Sequence, residues 1–266
     1  AMIQVALAPC SPFSVTRSLM CACGELAARH DCRLHTHLAE THDEDEFCKA
    51  RFGISPLDYL DSVGWLNGRT WLAHGIHFSD AEIARLGRHA VGVCHCPTSN
   101  MVLASGQCRT RDLEAAGSPV GLGVDGSASN DSSNLMEGVR HALMINRLTY
   151  DATVTHLDAL RWATRGSARC LGRSDIGEIA VGRQADLAFY TLDELATIVT
   201  INSGKLNTPI LPDAAREIAH RSRGTPRIAN SRLWWVRNYA TSEANGTIDL
   251  PLAQAALQMA EVDKEG

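Results

Sequence analysis

Cys32-Arg33-Leu34-His35-Thr36-His37, followed by Leu38-Ala39-Glu40, is the stretch on which the reading of the fold turns. It reads as a short strand that ends in polar groups. Side chains alternate faces along a strand, so His35 and His37 share one face, and Glu40 falls on the loop just past the strand end. A neutral imidazole is a good ligand for Zn²⁺ or Fe²⁺. A nearby carboxylate that is not a ligand can carry protons between water at a metal and a substrate. Taken alone, the same residues also fit two half-buried histidines and a solvated glutamate.

The surrounding sequence repeats the pattern. Strand-like runs cover 3–8, 32–37, 70–74, 91–96 and 120–124, and amphipathic segments lie near 14–30, 43–63, 79–88, 109–116, 134–148 and 155–171. Alternating strands and helices imply βα units and a parallel α/β sheet. Polar residues gather just past the strands: His37 and Glu40, His74, His95, Asp125. Such groups at C-terminal strand ends suit the active-site face of a (β/α)8 barrel, or the switch point of a doubly wound sheet. A full barrel takes eight strands and ~250 residues. Five strands in about 170 residues imply a partial TIM barrel. His74, closing Trp71-Leu72-Ala73, could by itself be structural, and Asp125, set between Gly123-Val124 and Gly126, could by itself be a turn cap. Three strand ends of one sheet offering His, His and Asp make a converging site the economical account.

The chain has 266 residues, 45% of them hydrophobic and 21% charged, with a net charge of −5. These values exclude a disordered chain, a collagen-like chain and a coiled coil. The apolar runs are too short to cross a membrane, and no basic-then-apolar leader is read, so a cytoplasmic protein is expected. The charge gives no general case for nucleic-acid binding. Nine cysteines read as reduced thiols rather than a disulfide framework. Cys21-Ala22-Cys23 and Cys94-His95-Cys96 are spaced too closely for a zinc ribbon.

After Gly172 the texture changes. Gly177-Glu178-Ile179 and 185–190 read as two short strands, and everything beyond Thr191 reads as helical. Thr225-Pro226 supplies an N-cap with proline at the first helical position. Asn245-Gly246 signals a turn, and Asp249 caps a last helix to about Ala260. The expected domains are 1–172, a partial (β/α) barrel; 173–190, strands of a small β-sandwich; and 191–266, an all-helical unit.

His37-Leu38-Ala39-Glu40, Leu72-Ala73-His74, His95-Cys96-Pro97-Thr98-Ser99-Asn100 and Gly123-Val124-Asp125-Gly126 resemble the amidohydrolase superfamily, in its cytosine/guanine deaminase and chlorohydrolase branch. The stretches 8–15 and 125–134 are similar to 8-oxoguanine deaminases and hydroxyatrazine-type aminohydrolases. The resemblance covers about 1–190 and implies a distorted (β/α)8 barrel with a small β-sandwich. It implies a zinc ion, or iron in its place, bound by His37 and Asp125 with His74 beside it. Glu40 would protonate a substrate ring nitrogen, His74 would touch the hydrolytic water, and Asp125 would take that water's proton. Cys10 and Ser129 would contact the substrate, an oxidised purine or triazine-like ring, in a homo-oligomeric enzyme that releases ammonia. The family's His-x-His motif from its first barrel strand has no counterpart in this chain.

A second resemblance begins near residue 189. Phe189–Val199 and Ala214–Asn230, with Arg221-Ser222-Arg223-Gly224-Thr225-Pro226-Arg227 at their centre, resemble the lid domain of RuvB, an AAA+ motor of DNA branch migration. The resemblance places Arg227 at a nucleotide phosphate, a role that suits a guanidinium. Trp234-Trp235 departs from the basic residues usual there. No Gly-x-x-x-x-Gly-Lys-[Ser/Thr] loop occurs, so the lid is not expected to hydrolyse ATP by itself. The alternatives to a deaminase are therefore a nucleotide- or partner-binding lid module, or a chimeric fragment without activity.

Overall fold

The computed structural model describes residues 3–184, 190–243 and 246–260. The chain divides into two compact units, residues 1–185 and 186–266.

In the first unit, β1 (Ala6–Leu7) leads to α1 (Arg17–His30), β2 (Arg33–Leu38), α2 (His42–Phe52) and α3 (Pro56–Ser62). Then come β3 (Thr70–His74), α4 (Asp80–Arg88), β4 (Gly92–His95), α5 (Pro97–Val102), α6 (Thr110–Ala116) and β5 (Val120–Leu122). The unit closes with α7 (Leu135–Tyr150), α8 (His156–Arg161) and α9 (Ser167–Cys170), the last two joined through a π-helical turn at Trp162–Gly166. The five strands form one all-parallel sheet in the order β1-β2-β3-β4-β5. Strand neighbours in space are thus neighbours in sequence, as in successive units of a (β/α) barrel.

The alternation along β2 explains the layering. Leu34, Thr36 and Leu38 are buried on one face, and Arg33, His35 and His37 are half-buried on the other. The buried face joins a core with Leu72, Val93, Val120, Met20, Leu57, Leu60, Trp65 and Trp162. Trp65 Nε1 donates to the Met20 carbonyl at 2.9 Å, so its one polar atom is satisfied within that core. Helix starts follow the local sequence. Ser79 and Glu82 form a capping box on α4, and Thr155 and Asp158 form one on α8.

Two expectations change. The segment 43–63 is two helices, because Gly53 ends α2 at φ 75° and Ser55-Pro56 starts α3 afresh. Gly177-Glu178-Ile179 forms no strand. Ile179 and Val181 lie fully exposed, with no neighbouring strand among the described residues to cover them. The second expected sandwich strand falls mostly on 185–189, and the Asn245 turn residue also lies outside the described residues.

The second unit holds α10 (Leu192–Lys205), α11 (Pro212–His220), α12 (Pro226–Glu243) and α13 (Leu250–Met259). Its own core comprises Val199, Ala214, Ile218, Leu233, Val236, Ala253 and Leu257, with other small residues between them. Asp249 caps α13 by accepting from the Leu252 N–H. Among the described residues no helix is long and apolar enough to cross a membrane, and all nine cysteines are free.

Candidate metal centre and active site

Strand register brings the expected residues together. His37 pairs with Ala73 and Leu38 with His74 across β2 and β3, while His95 pairs with Leu122 across β4 and β5. Asp125 follows β5 by three residues. The backbone is left-handed at Ala39 (φ 53°), His74 (φ 71°) and Asp125 (φ 62°). Non-glycine residues rarely adopt this conformation, and such strain gathers at functional sites. Here it turns the chain sharply at the ends of β2 and β3 and just beyond β5. One potential ligand atom from each of His37, His74 and Asp125 lies within 4.8 Å of the others. Glu40 Oε2 stands 3.4 Å from His74 Nε2, and Asp125 Oδ2 stands 3.9 Å from the same nitrogen.

Hydrogen bonds set the ring protons. His37 Nδ1 lies 2.7 Å from the Cys10 carbonyl, which only accepts. His37 therefore carries its proton on Nδ1 and leaves Nε2 free as a ligand. At His74 the order is reversed. Asn100 Nδ2, which only donates, lies 3.0 Å from His74 Nδ1. The carboxylates of Glu40 and Asp125, acceptors when ionised, flank Nε2. His74 therefore presents Nε2–H to the site. The free Nε2 of His37 and the Asp125 carboxylate are nitrogen and oxygen donors of the kind zinc takes, with the His74 N–H beside them.

The electrostatics divide the two carboxyl groups. Burial, and then the nearby Asp125, raise the Glu40 carboxyl above its ordinary value. Burial also acts upward on Asp125, but the Ser99 hydroxyl, the Gly126 N–H and both histidines outweigh it and hold that carboxyl below its ordinary value. Asp125 is thus kept anionic, as a ligand must be, while Glu40 is moved toward a proton-carrying role. Burial holds His74 neutral, with its imidazole down to about 4.

Of the other expected site residues, Cys10 is exposed and meets His37 through its backbone carbonyl. Ser129 is half-buried, with its hydroxyl 2.7 Å from that of Ser99. Arg227 belongs to the second unit, exposed at the start of α12. Two residues without an expected role complete the site. Ser99 donates to Asp125 Oδ2 at 2.5 Å, and Asn100 orients His74. Both sit on α5 and are fully buried. The signal for them was Pro97, two residues after the end of β4, a helix-starting position that brings Ser99 to Asp125 and Asn100 to His74. His95 is close enough to His74 to feel its charge but is not among the three grouped residues: it shares a strand face with core residue Val93, and neither ring nitrogen has a hydrogen-bond partner among the described residues.

Comparison with known proteins finds relatives for both units. Residues 190–263 match the RuvB AAA lid domain. The chain is 67% identical over 196 residues to an 8-oxoguanine deaminase of Pseudomonas aeruginosa, covering 73% of this chain and 44% of that protein. It is 41% identical over 197 residues to hydroxydechloroatrazine ethylaminohydrolase of Pseudomonas sp. strain ADP, covering 73% of this chain and 40% of the relative. The chain thus spans under half the length of these relatives. Among solved structures it is similar to the zinc complex of atrazine chlorohydrolase from Arthrobacter aurescens TC1, with TM-score 0.66 and 35% identity over 70% of this chain and 42% of the other. An adenosine deaminase from Xanthomonas campestris with bound zinc gives TM-score 0.66 and 38% identity, covering 68% of this chain and 42% of the other. Residues 1–213 match the amidohydrolase family, and with the sheet and strand-end residues described above the chain belongs to that family.

Proposed function

We propose that the first unit carries part of the active site of a zinc-dependent hydrolytic deaminase acting on 8-oxoguanine or a related cyclic amidine. The convergence of His37, His74 and Asp125, with Glu40 beside them, carries this reading. The substrate class follows the 67% identical relative.

His37 through Nε2 and Asp125 through its carboxylate would hold the ion. Zinc would supply the Lewis acidity that makes water a nucleophile near neutral pH. His74 orients that water through Nε2–H. Asp125 accepts a proton from the water as its oxygen bonds to the amidine carbon. Glu40, held toward its protonated form, gives a proton to the neighbouring ring nitrogen. The proton held by Asp125 then passes to the exocyclic amine, whose bond to the carbon breaks; the hydroxyl on that carbon gives its proton back to Glu40, so ammonia leaves, the ring carbon becomes a carbonyl and both carboxyl groups return to their starting forms. Ser129 and the loop carrying Cys10 face the substrate in this scheme.

The test is zinc and iron per chain by elemental analysis, for wild type and His37→Ala, alongside ammonia release from 8-oxoguanine. Near-stoichiometric metal that is lost in the variant, with ammonia released by wild type, is expected. Absence of metal from both proteins overturns the reading.

The match of residues 190–263 to a nucleotide-motor lid supports a second reading, in which Arg227 contacts a nucleotide phosphate. ATP binding that disappears in Arg227→Ala would support it, and equal weak binding by both proteins would remove it.

A further inference from the structure

The deaminase scheme leaves one buried carboxyl group without a task. Glu44, on the first turn of α2, is 2% exposed, and buried acids without a cationic partner are rare. No arginine or lysine pairs with it among the described ion pairs. Its carboxylate is directed at backbone instead. The Glu40 N–H donates to Glu44 Oε2 at 3.1 Å, and the Ala39 N–H favours the same carboxylate.

The opposite side of this turn is also held. The Ala39 carbonyl accepts from the Ile76 N–H at 2.8 Å and from the His77 N–H at 3.0 Å. The His77 ring, 2.9 Å from the Ser105 carbonyl through Nε2, also interacts with the Glu40 carbonyl. Ala39 is the residue with φ 53° that directs the chain off β2. An alanine does not hold that conformation unaided, because the left-handed region costs it roughly 1 kcal/mol or more. The turn matters because the Glu40 side chain leaves it to reach His74 Nε2.

We propose that Glu44 is a positioning residue for Glu40: its carboxylate fixes the Ala39–Glu40 peptide in the left-handed turn and thereby aims the Glu40 carboxyl at the reacting ring. The claim that Glu40 reacts rests on the deaminase reading; the claim that Glu44 fixes the turn does not. Glu44 is not one of the grouped residues His37, His74 and Asp125, and no step passes through it.

Three proteins test this: wild type, Glu44→Ala and Glu44→Gln, the last keeping one acceptor oxygen at nearly the same place. The readouts are amide hydrogen exchange at residues 39 and 40, the titration of the Glu40 carboxyl followed by ¹³C NMR, zinc per chain, and the kinetics of ammonia release. In Glu44→Ala, exchange at the two amides is expected to quicken by about 100-fold, the free-energy equivalent of losing the buried bonds. The Glu40 carboxyl should titrate nearer its ordinary value. Zinc content should be unchanged, and kcat should fall by about 10- to 100-fold with KM held within about twofold. Glu44→Gln should recover most of each. Unchanged exchange and an unchanged Glu40 titration in Glu44→Ala overturn the proposal, whatever the activity. If wild type with zinc releases no ammonia, the deaminase reading fails, and exchange and titration still decide the role of Glu44. If Glu44→Ala does not fold, Glu44→Asp carries the same test, since it keeps the carboxyl but withdraws it by one methylene.

Discussion

The backbone carbonyl of Cys10 lies 2.7 Å from Nδ1 of His37 and ties the loop after β1 to the imidazole at the end of β2. The contact fixes the tautomer of a candidate ligand without using the cysteine side chain. Cys10→Ala is therefore expected to leave zinc content within about twofold of wild type. His37→Ala should weaken zinc binding by at least about 100-fold, beyond the usual effect of an outer contact. Competition with a chromophoric chelator reads both. Equal losses in the two variants would mean that the Cys10 thiol itself takes part.

The Asn100 amide makes a prediction about His74. With Nδ2 donating to Nδ1, ¹⁵N NMR should report His74 as the Nε2–H tautomer, and zinc should not change this. Asn100→Leu should release the tautomer, lower activity by about 10- to 100-fold and lower stability by roughly 1–3 kcal/mol. A shift of His74 to the Nδ1–H form on adding zinc would make it a third ligand rather than a donor.

His95 should leave a mark on acid stability. Burial and the neighbouring His74 lower its imidazole to about 3, against 6.5 when free. The unfolded chain then binds more protons between these values, so stability is full above about 6.5 and is lost as the pH falls toward 3. Each unit of the interval corresponds to about 1.4 kcal/mol. Glu44 opposes this. Burial raises its carboxyl from 4.5 to about 7, so the folded state holds the extra proton, and this contribution is present below 4.5 and lost as the pH rises through 7. Denaturant melts from pH 4 to 8 should show the acid-side slope flattened in His95→Leu and the opposing slope removed in Glu44→Gln.

Gly75, next to His74, has φ 60°, and a Cβ there would stand 2.5 Å from Val93 Cγ1. Gly75→Ala combines left-handed strain with a core clash and is expected to cost about 2 kcal/mol or more. A melting temperature within a degree of wild type would show that β3 and β4 shift apart easily.

The sheet was legible because each strand carries its own apolar run and several helices of the same unit start at a capping side chain. The span 70–74 was read correctly residue for residue from Thr70-Trp71-Leu72-Ala73-His74. His37, His74 and Asp125 could be found because strand ends point one way in a parallel sheet, so distant positions meet without knowledge of the loops. The division of 43–63 was missed because apolar residues recur across Gly53, where only the left-handed backbone reveals the break. The tasks of Glu44, Ser99 and Asn100 were not legible. A buried carboxylate bonded to backbone N–H groups looks, in sequence, like any acid in the first turn of a helix. The choice between two imidazole tautomers exists only once Cys10 and Asn100 are placed against the rings.

The left-handed backbone at Ala39, His74 and Asp125 has a consequence for how an ion would arrive. These turns are held by hydrogen bonds within the fold: Ile76 and His77 N–H to the Ala39 carbonyl, Gly75 N–H to the Leu38 carbonyl, and Ser99 to the Asp125 carboxylate. The part of the socket that these residues form is thus shaped by the fold itself. Metal uptake should then be governed by diffusion and dehydration of the incoming ion, with a rate linear in its concentration and no saturating rearrangement step.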